Sequence, residues 1–165
     1  MQDGVFEIKG EINNAMASVV IKQILEFSDR NPEDVITLKI NSEGGDVTAG
    51  MAIYDVVRYV SNAVSTIAEG KVSGIATLIL VAGTQGMRFT YNDTSISLGL
   101  FLIKKDAESI SPEINTIVRK VYGIIAKHTK MWVEQIVELA DSGIELDAEM
   151  AVKNCVVDKV IQRQN

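Results

Sequence analysis

The chain has 165 residues, enough for one domain with a full hydrophobic core, and 47% of them are hydrophobic, an ordinary fraction for a globular protein. Its formal charge of −6 disfavours a nucleic-acid partner, because neutralising phosphates takes clustered Lys and Arg. The longest apolar run, Ile75–Ala82, is closed by Gly83 well short of the roughly 20 residues that span a bilayer, so no membrane partner is expected.

Met1–Gly10 lacks the basic-then-apolar order of a signal peptide, and Cys155, the only cysteine, excludes an internal disulfide. Both point to the cytoplasm or a plastid-like reducing compartment. The only prolines are Pro32 and Pro112, and no linker, repeat or low-complexity tract divides the chain, so one domain over residues 1–165 is expected.

Val5–Ile8 alternates as a strand that ends at Gly10. Asn13 or Asn14 caps a helix with Met16, Val19, Val20, Gln23, Ile24 and Phe27 at helical spacing, stopped by Asn31-Pro32. A strand, Val35–Ile40, leads into the turn Asn41-Ser42-Glu43-Gly44-Gly45, and Thr48–Val60 is again helical. Val64–Ala68 is a strand, Gly70 opens a loop, and Ser73–Val81 is an apolar, small-residue helix expected to be buried on most sides. Met87–Thr90 and Thr94–Leu98 are short strands around an Asn92-Asp93 turn. Ser111-Pro112 then starts a long helix running to about His128, with Ser111 as cap and Pro112 at its first position. Helices at Trp132–Ala140 and Leu146–Asn154 and a strand at Val156–Ile161 complete the chain. Strands alternating with helices predict an α/β fold with parallel pairing; periodicity alone does not separate a spiral β-α-β stack from a doubly wound sheet.

Three segments carry a resemblance. They are Ile40-Asn41-Ser42-Glu43-Gly44-Gly45 followed by Thr48-Ala49-Gly50-Met51-Ala52-Ile53-Tyr54-Asp55, then Val64-Ser65-Thr66-Ile67 followed by Gly70, and Ala82-Gly83-Thr84-Gln85-Gly86-Met87-Arg88-Phe89. With the ending Asn154-Cys155-Val156-Val157-Asp158, they resemble the peptidase subunit of the Clp protease, ClpP, from about Val5 to Val160. That family reads Asn-Ser-Pro-Gly-Gly, Thr-Ala-Gly-Met, Gly-Lys-Arg-Phe and Ala-x-x-x-Gly-Leu-Val-Asp at these places. The resemblance implies a crotonase-like spiral α/β fold with a projecting handle helix (handle region about 100–130). It also implies heptamer-based rings that stack to enclose a chamber, and an AAA+ unfoldase as docking partner. It implies no cofactor and no metal.

Active members of the family use Ser, His and Asp, because acyl transfer needs a nucleophile, a base and a carboxylate to orient the base. Carried onto this chain, the nucleophile position in Gly70-Lys71-Val72-Ser73-Gly74 falls on Gly74, and the base position in Ser97-Leu98-Gly99 falls on Gly99. An ungapped match from His128-Thr129 to Ala151 puts the acid position on Gly143, with Asp141 and Asp147 close by. Glycine supplies none of the three roles. Gly45 and Ile75 match the family's oxyanion-hole backbone donors, which survive a change of side chain. Ser73 beside the lost nucleophile, with Lys71, Lys104 or Lys105 as partner, would be a Ser–Lys dyad, but its hydroxyl is expected to turn away from the site. His128 is expected to be a partly exposed helix residue rather than a base.

Other departures follow from the resemblance. At the unfoldase dock, Tyr59 and Ile67 keep the family's apolar character. Thr37, Lys39 and Glu69 stand where large apolar residues are usual, weakening burial of an apolar anchor by roughly 1–3 kcal/mol each. The segment Leu100–Ser109 is shorter than its family counterpart and lacks its glycines, and the family's leading helix and pore loop have no counterpart before Val5. Ile117, Val121, Ile124 and Ile125 recur along the long helix and are expected to form a seam between subunits or rings. The function expected is a non-catalytic subunit of a ring formed with itself or with ClpP-like paralogues, as in ClpR-type subunits. The alternatives are a stand-alone ClpP-like pseudoenzyme and a serine peptidase with a site relocated to Ser73. A crotonase-type acyl-thioester activity ranks below these, since no carboxylate can be placed in the site.

Overall fold

The computed structural model describes residues 3–100 and 111–163. Strands β1 (Val5–Lys9), β2 (Ile36–Ser42), β3 (Val64–Val72), β4 (Arg88–Tyr91) and β6 (Lys159–Ile161) form one parallel sheet in that order, and β5 (Ser95–Ile96) pairs with the far end of β3. Right-handed crossovers between parallel neighbours put successive helices on one side of a sheet whose order never reverses. No topological switch point arises, so the sheet is not doubly wound. The burial pattern agrees: Ile36, Leu38 and Ile40 of β2 are buried while Thr37, Lys39 and Asn41 between them are half-buried, and on β1 Phe6 and Ile8 are buried while Val5, Glu7 and Lys9 are exposed. Parallel sheets are normally covered on both faces; here one face carries the helices and the other is only partly covered.

Four of the six helices start where a side chain takes an orphan N–H. The Asn13 amide oxygen accepts from Met16 N at 2.9 Å and starts α1 (Asn14–Arg30), whose buried face is Ala17, Val20, Ile24 and Phe27. Asp46 accepts from Ala49 N at 2.7 Å and starts α2 (Val47–Tyr59). All seven residues of α3 (Ile75–Val81) are buried, and α2 reaches it closely because Gly50 has no Cβ to strike the Ile75 side chain. Ser111 caps α4 (Pro112–His128) with Pro112 at its first turn, as the sequence predicts. α5 (Val133–Ser142) and α6 (Ala148–Lys153) follow.

The handle helix divides in two. Residues Pro112–Ile117 are exposed on every side, so its first turns stand clear of the core, whereas Val118, Val121, Tyr122 and Ile125 are buried where α4 meets α3 and α5. The expectation that Val121 and Ile125 serve a seam between subunits is therefore corrected. They pack on this chain's own core, and Ile114 and Ile117 are the exposed apolar residues of α4.

Among the boundaries that differ from the sequence reading, four have a clear local reason. β3 does not end at a Gly70 loop: it continues to Val72 through a bulge, with Gly70 at φ 60° opposite a register shift between Ile40 and Ser42. Helix α3 begins at Ile75 rather than Ser73, because Gly74 adopts a non-helical backbone. Leu146 exchanges hydrogen bonds with Ile96, 3.0 and 2.6 Å, so α6 cannot start until Asp147 caps it. The last strand is shortened to Lys159–Ile161, because Val156 and Val157 donate back to Ala151 O after Cys155 turns the chain at φ 57°. Of the segment Leu100–Ser109, all but Leu100 falls outside the described residues, Lys104 and Lys105 included.

Candidate functional site

β3 runs through Ser73 and Gly74 straight into α3, a strand–elbow–helix corner. Gly74 holds φ 60°, ψ −132°, a backbone that side-chain-bearing residues rarely adopt, and the kind of sharp turn on which hydrolases present a nucleophile. A Cβ at Gly74 would lie 3.5 Å from Gly99 O, 3.6 Å from Glu43 O and 3.8 Å from Gly44 Cα, ordinary contacts that leave room for a side chain. Gly99 in turn follows β5, and a Cβ there would lie 3.2 Å from Ala140 O in the last turn of α5. Gly143 closes α5 in the left-handed conformation, φ 68°. The fold thus sets Gly74 beside Gly99, and Gly99 beside the helix end that Gly143 caps. Gly143 also has a local reason to be glycine, the left-handed helix cap. Of the nearby acids, Asp141 is exposed, and the Asp147 carboxylate accepts from Met150 N at 2.8 Å as the cap of α6.

Gly74 opens on a cleft of about 1160 Å³. The turn bearing Gly44 and Gly45 and the start of α3 at Ile75 form one side; Leu100, Ile114, Ile117 and Val118 form the apolar other side. The turn is tied to the strand exit by Ile12 N donating to Gly44 O, 2.9 Å, and Asp46 N donating to Ile12 O, 2.8 Å. Gly45's own N–H stays out of that ladder, and Gly45 and Ile75 both line the cleft. Gly45 must be glycine: φ is 149°, and a Cβ would run into the Ile12 backbone.

Among the described residues, no side chain at this corner is arranged as a nucleophile with its base. Ser73 is fully buried, and its hydroxyl donates to Glu43 O at 3.1 Å. Ser73 lies before the helix, so it is the elbow rather than a helical rotation that turns it inward. Lys71 Nζ sits 3.0 Å from Glu43 and 3.3 Å from Glu145; the hydrogen bonds it donates to both carboxylates push its pKa up, the reverse of what a dyad base needs. The only histidine, His128, lies at the other end of α4, outside the cleft lining. Its ring is half-buried, with Nε2 2.9 Å from Tyr54 Oη. Among the described residues, no group of three or more His, Cys, Asp or Glu side chains could hold a metal ion, and no helix is long and apolar enough to cross a membrane.

The five residues expected at an unfoldase dock are only partly brought together. Thr37, Lys39, Ile67 and Glu69 are half-buried on β2 and β3, with Lys39 directly opposite Ile67 on the partly covered face. Tyr59, 80% exposed, belongs to the last turn of α2 in the helix layer instead. Two clusters escaped sequence reasoning. One is the Lys71–Glu43–Glu145 bridge. The other is the forked pair of Arg88 and Asp158 (Nε–Oδ2 3.0 Å, Nη2–Oδ1 2.8 Å), which also ties Arg88 Nη1 to His128 O at 2.7 Å. Both join segments far apart in the chain, so no local spacing announces them.

The one-way parallel sheet and the elbow at Gly74 define an α/β protein with a strand–elbow–helix corner that opens on a cleft. A family model described as Clp protease matches residues 1–164, and the chain belongs to that family.

Proposed function

We propose that this chain is a non-catalytic member of the Clp protease family, a single ClpP-like domain that contributes ring assembly or regulation to an ATP-dependent Clp complex. One observation carries the reading: the elbow where a nucleophile would stand is Gly74, and the residue beside it is Gly99, so neither of these two positions carries a hydroxyl or an imidazole. The family mechanism needs both, and the loss of one member already removes most of the rate. Gly143 leaves the third position equally bare. Gly45 and Ile75 match the family's backbone oxyanion-hole positions and both line the cleft, and such donors bind charge but perform no proton transfer.

In this reading the partners are copies of itself or ClpP-like paralogues in heptamer-based rings, in the cytoplasm or a comparable reducing compartment. An AAA+ unfoldase is held more weakly than usual, because Thr37, Lys39 and Glu69 place polar groups on the face of Ile67. A relocated peptidase is disfavoured by the buried, bonded hydroxyl of Ser73. A stand-alone pseudoenzyme differs from the subunit reading only in its assembly.

The deciding test is native mass, measured alone and after co-expression with a catalytic family member, together with turnover of small fluorogenic peptides. A mixed ring and no turnover by the isolated chain are expected. A clean monomer, unchanged by the catalytic member at micromolar concentration, would leave the stand-alone pseudoenzyme. Labelling of Ser73 by a serine-directed phosphonate would replace the whole reading.

A further inference from the structure

Helix α4 gives one face to its own core, through Val118, Val121, Tyr122 and Ile125, and turns another away from it. On that outer face Lys120, Gly123 and Lys127 follow one another at helical spacing, and both lysines are exposed. Gly123 is the unexpected member. Glycine is among the poorest formers of a helix interior, and the backbone here is helical rather than left-handed. A Cβ at Gly123 would meet nothing within 4 Å, so no close approach within the chain requires a glycine. What the glycine supplies is a notch in the helix surface, with a lysine before it and a lysine after it. Among the described residues neither lysine takes part in an ion pair.

The matching face lies on the next helix. α5 exposes Glu134, Val137 and Asp141 at the same helical spacing, and neither acid takes part in an ion pair among the described residues. Val137 is one of the exposed large hydrophobic residues of the chain. Neighbouring charges strengthen the contrast. α4 carries Arg119 besides its two outer lysines, against Glu113 in its first turn, whereas α5 adds Glu138 to its two acids and has no base. We infer that the outer face of α4 docks the outer face of α5 of a second copy of this chain, with Val137 of one copy entering the notch at Gly123 of the other, Lys120 meeting Glu134, and Lys127 meeting Asp141.

The spacing fixes the register. With the two helices side by side and parallel, all three pairs fall in step, because the first and last residues lie about 10.5 Å apart along either axis. A missing side chain at the centre lets the second helix approach closely, and a branched residue fills the space, as a knob fills a hole. Within one chain α4 and α5 pack through their buried sides, so these two faces are left for another molecule. The faces differ, so the contact runs head to tail and repeats from copy to copy until it closes a ring. Ring closure rests on the subunit reading proposed above; the pairing of the two faces stands on charge and shape alone.

Charge exchange in the full chain tests the contact. Sedimentation at micromolar concentration and low salt gives the average mass of the wild type, of Lys120→Glu/Lys127→Glu, of Glu134→Lys/Asp141→Lys, and of an equal mixture of the two variants. Circular dichroism checks that each is folded. The wild type should sediment above the 18.0 kDa of one chain and lose mass toward about 1 M salt, where the screening length is about 3 Å. Either reversal alone should weaken association by roughly tenfold or more, since two attractions become two repulsions. The mixture should recover it, because the acidic α4 of one variant meets the basic α5 of the other. Gly123→Leu separates contact from fold: it fills the notch and favours the helix, so hydrogen-exchange protection of α4 should hold while association falls. A wild type that stays at the mass of one chain overturns the contact. So do reversals that assemble like the wild type, or a mixture that recovers nothing. None of these outcomes decides the subunit reading, which is judged by peptide turnover and by assembly with a catalytic family member.

Discussion

Gly45 and Gly74 both line the cleft and both hold positive φ, yet the structure assigns them different tolerances. Replacing Gly45 with Ala drives a methyl group into the Ile12 backbone, so the turn must move. The Ile12 N–Gly44 O and Asp46 N–Ile12 O bonds then break or stretch, at about 1 kcal/mol each. Forcing a side chain into that backbone region costs about 1–3 kcal/mol more. The sum, about 3–5 kcal/mol, is a large part of the 5–15 kcal/mol that holds a typical domain together. A Cβ at Gly74 meets no described atom closer than 3.5 Å, so Gly74→Ser costs mainly the backbone strain, about 1–3 kcal/mol. Urea unfolding followed by far-UV circular dichroism, at one fixed protein concentration, measures both. Gly45→Ala should unfold at clearly lower urea than Gly74→Ser with a similar slope, and Gly74→Ser should remain folded but inactive toward peptides, since Gly99 still provides no base. A Gly45→Ala protein within about 1 kcal/mol of wild type would refute the argument that the Ile12 junction locks this turn, as would a Gly74→Ser protein damaged to the same degree.

Cys155 holds φ 57° where the family pattern has glycine; Cys155→Gly should relieve about 1–2 kcal/mol of left-handed strain against about 0.4–1 kcal/mol of added chain entropy, a net gain centred on about 0.8 kcal/mol and at most about 1.6 kcal/mol, visible as a higher melting temperature. Asp158→Asn leaves the buried Arg88 guanidinium without its charge partner and should cost about 3 kcal/mol, the low end for a broken buried pair because Asp158 is partly exposed. Burial pushes the Asp158 carboxyl up, but the Arg88 hydrogen bonds and charge outweigh it and hold the pKa below the usual range. That stabilisation is present above the unfolded-state pKa of roughly 3.9 and lost as pH falls through the folded-state value, so the acid limb of a stability–pH curve should flatten in the variant. Ser73→Ala removes one hydrogen bond to Glu43 O, should cost about 1 kcal/mol, and should leave peptide turnover at its background level; a drop in turnover would place chemistry at Ser73.

Short-range physics was legible in the sequence. Asn13 as one of two cap candidates, Ser111-Pro112 as a helix start and Pro112 to His128 as its length all follow from which residues satisfy orphan N–H groups and recur every 3.6 positions. The glycines Gly74 and Gly99 were legible too, because the motifs around them fix their spacing. What the sequence could not supply was distance between segments. The bulge at Gly70, the shared burial of Val121 and Ile125 under α3 and α5, the inward turn of Ser73 and the Arg88–Asp158 fork all depend on partners more than ten residues away. A helix stripe such as Ile117–Ile125 looks the same whether it faces a neighbour or its own core, since burial against either removes the same apolar surface from water. Only the tertiary arrangement, which lays the second half of α4 on α3 and leaves its first turns free, decides which residues remain outside.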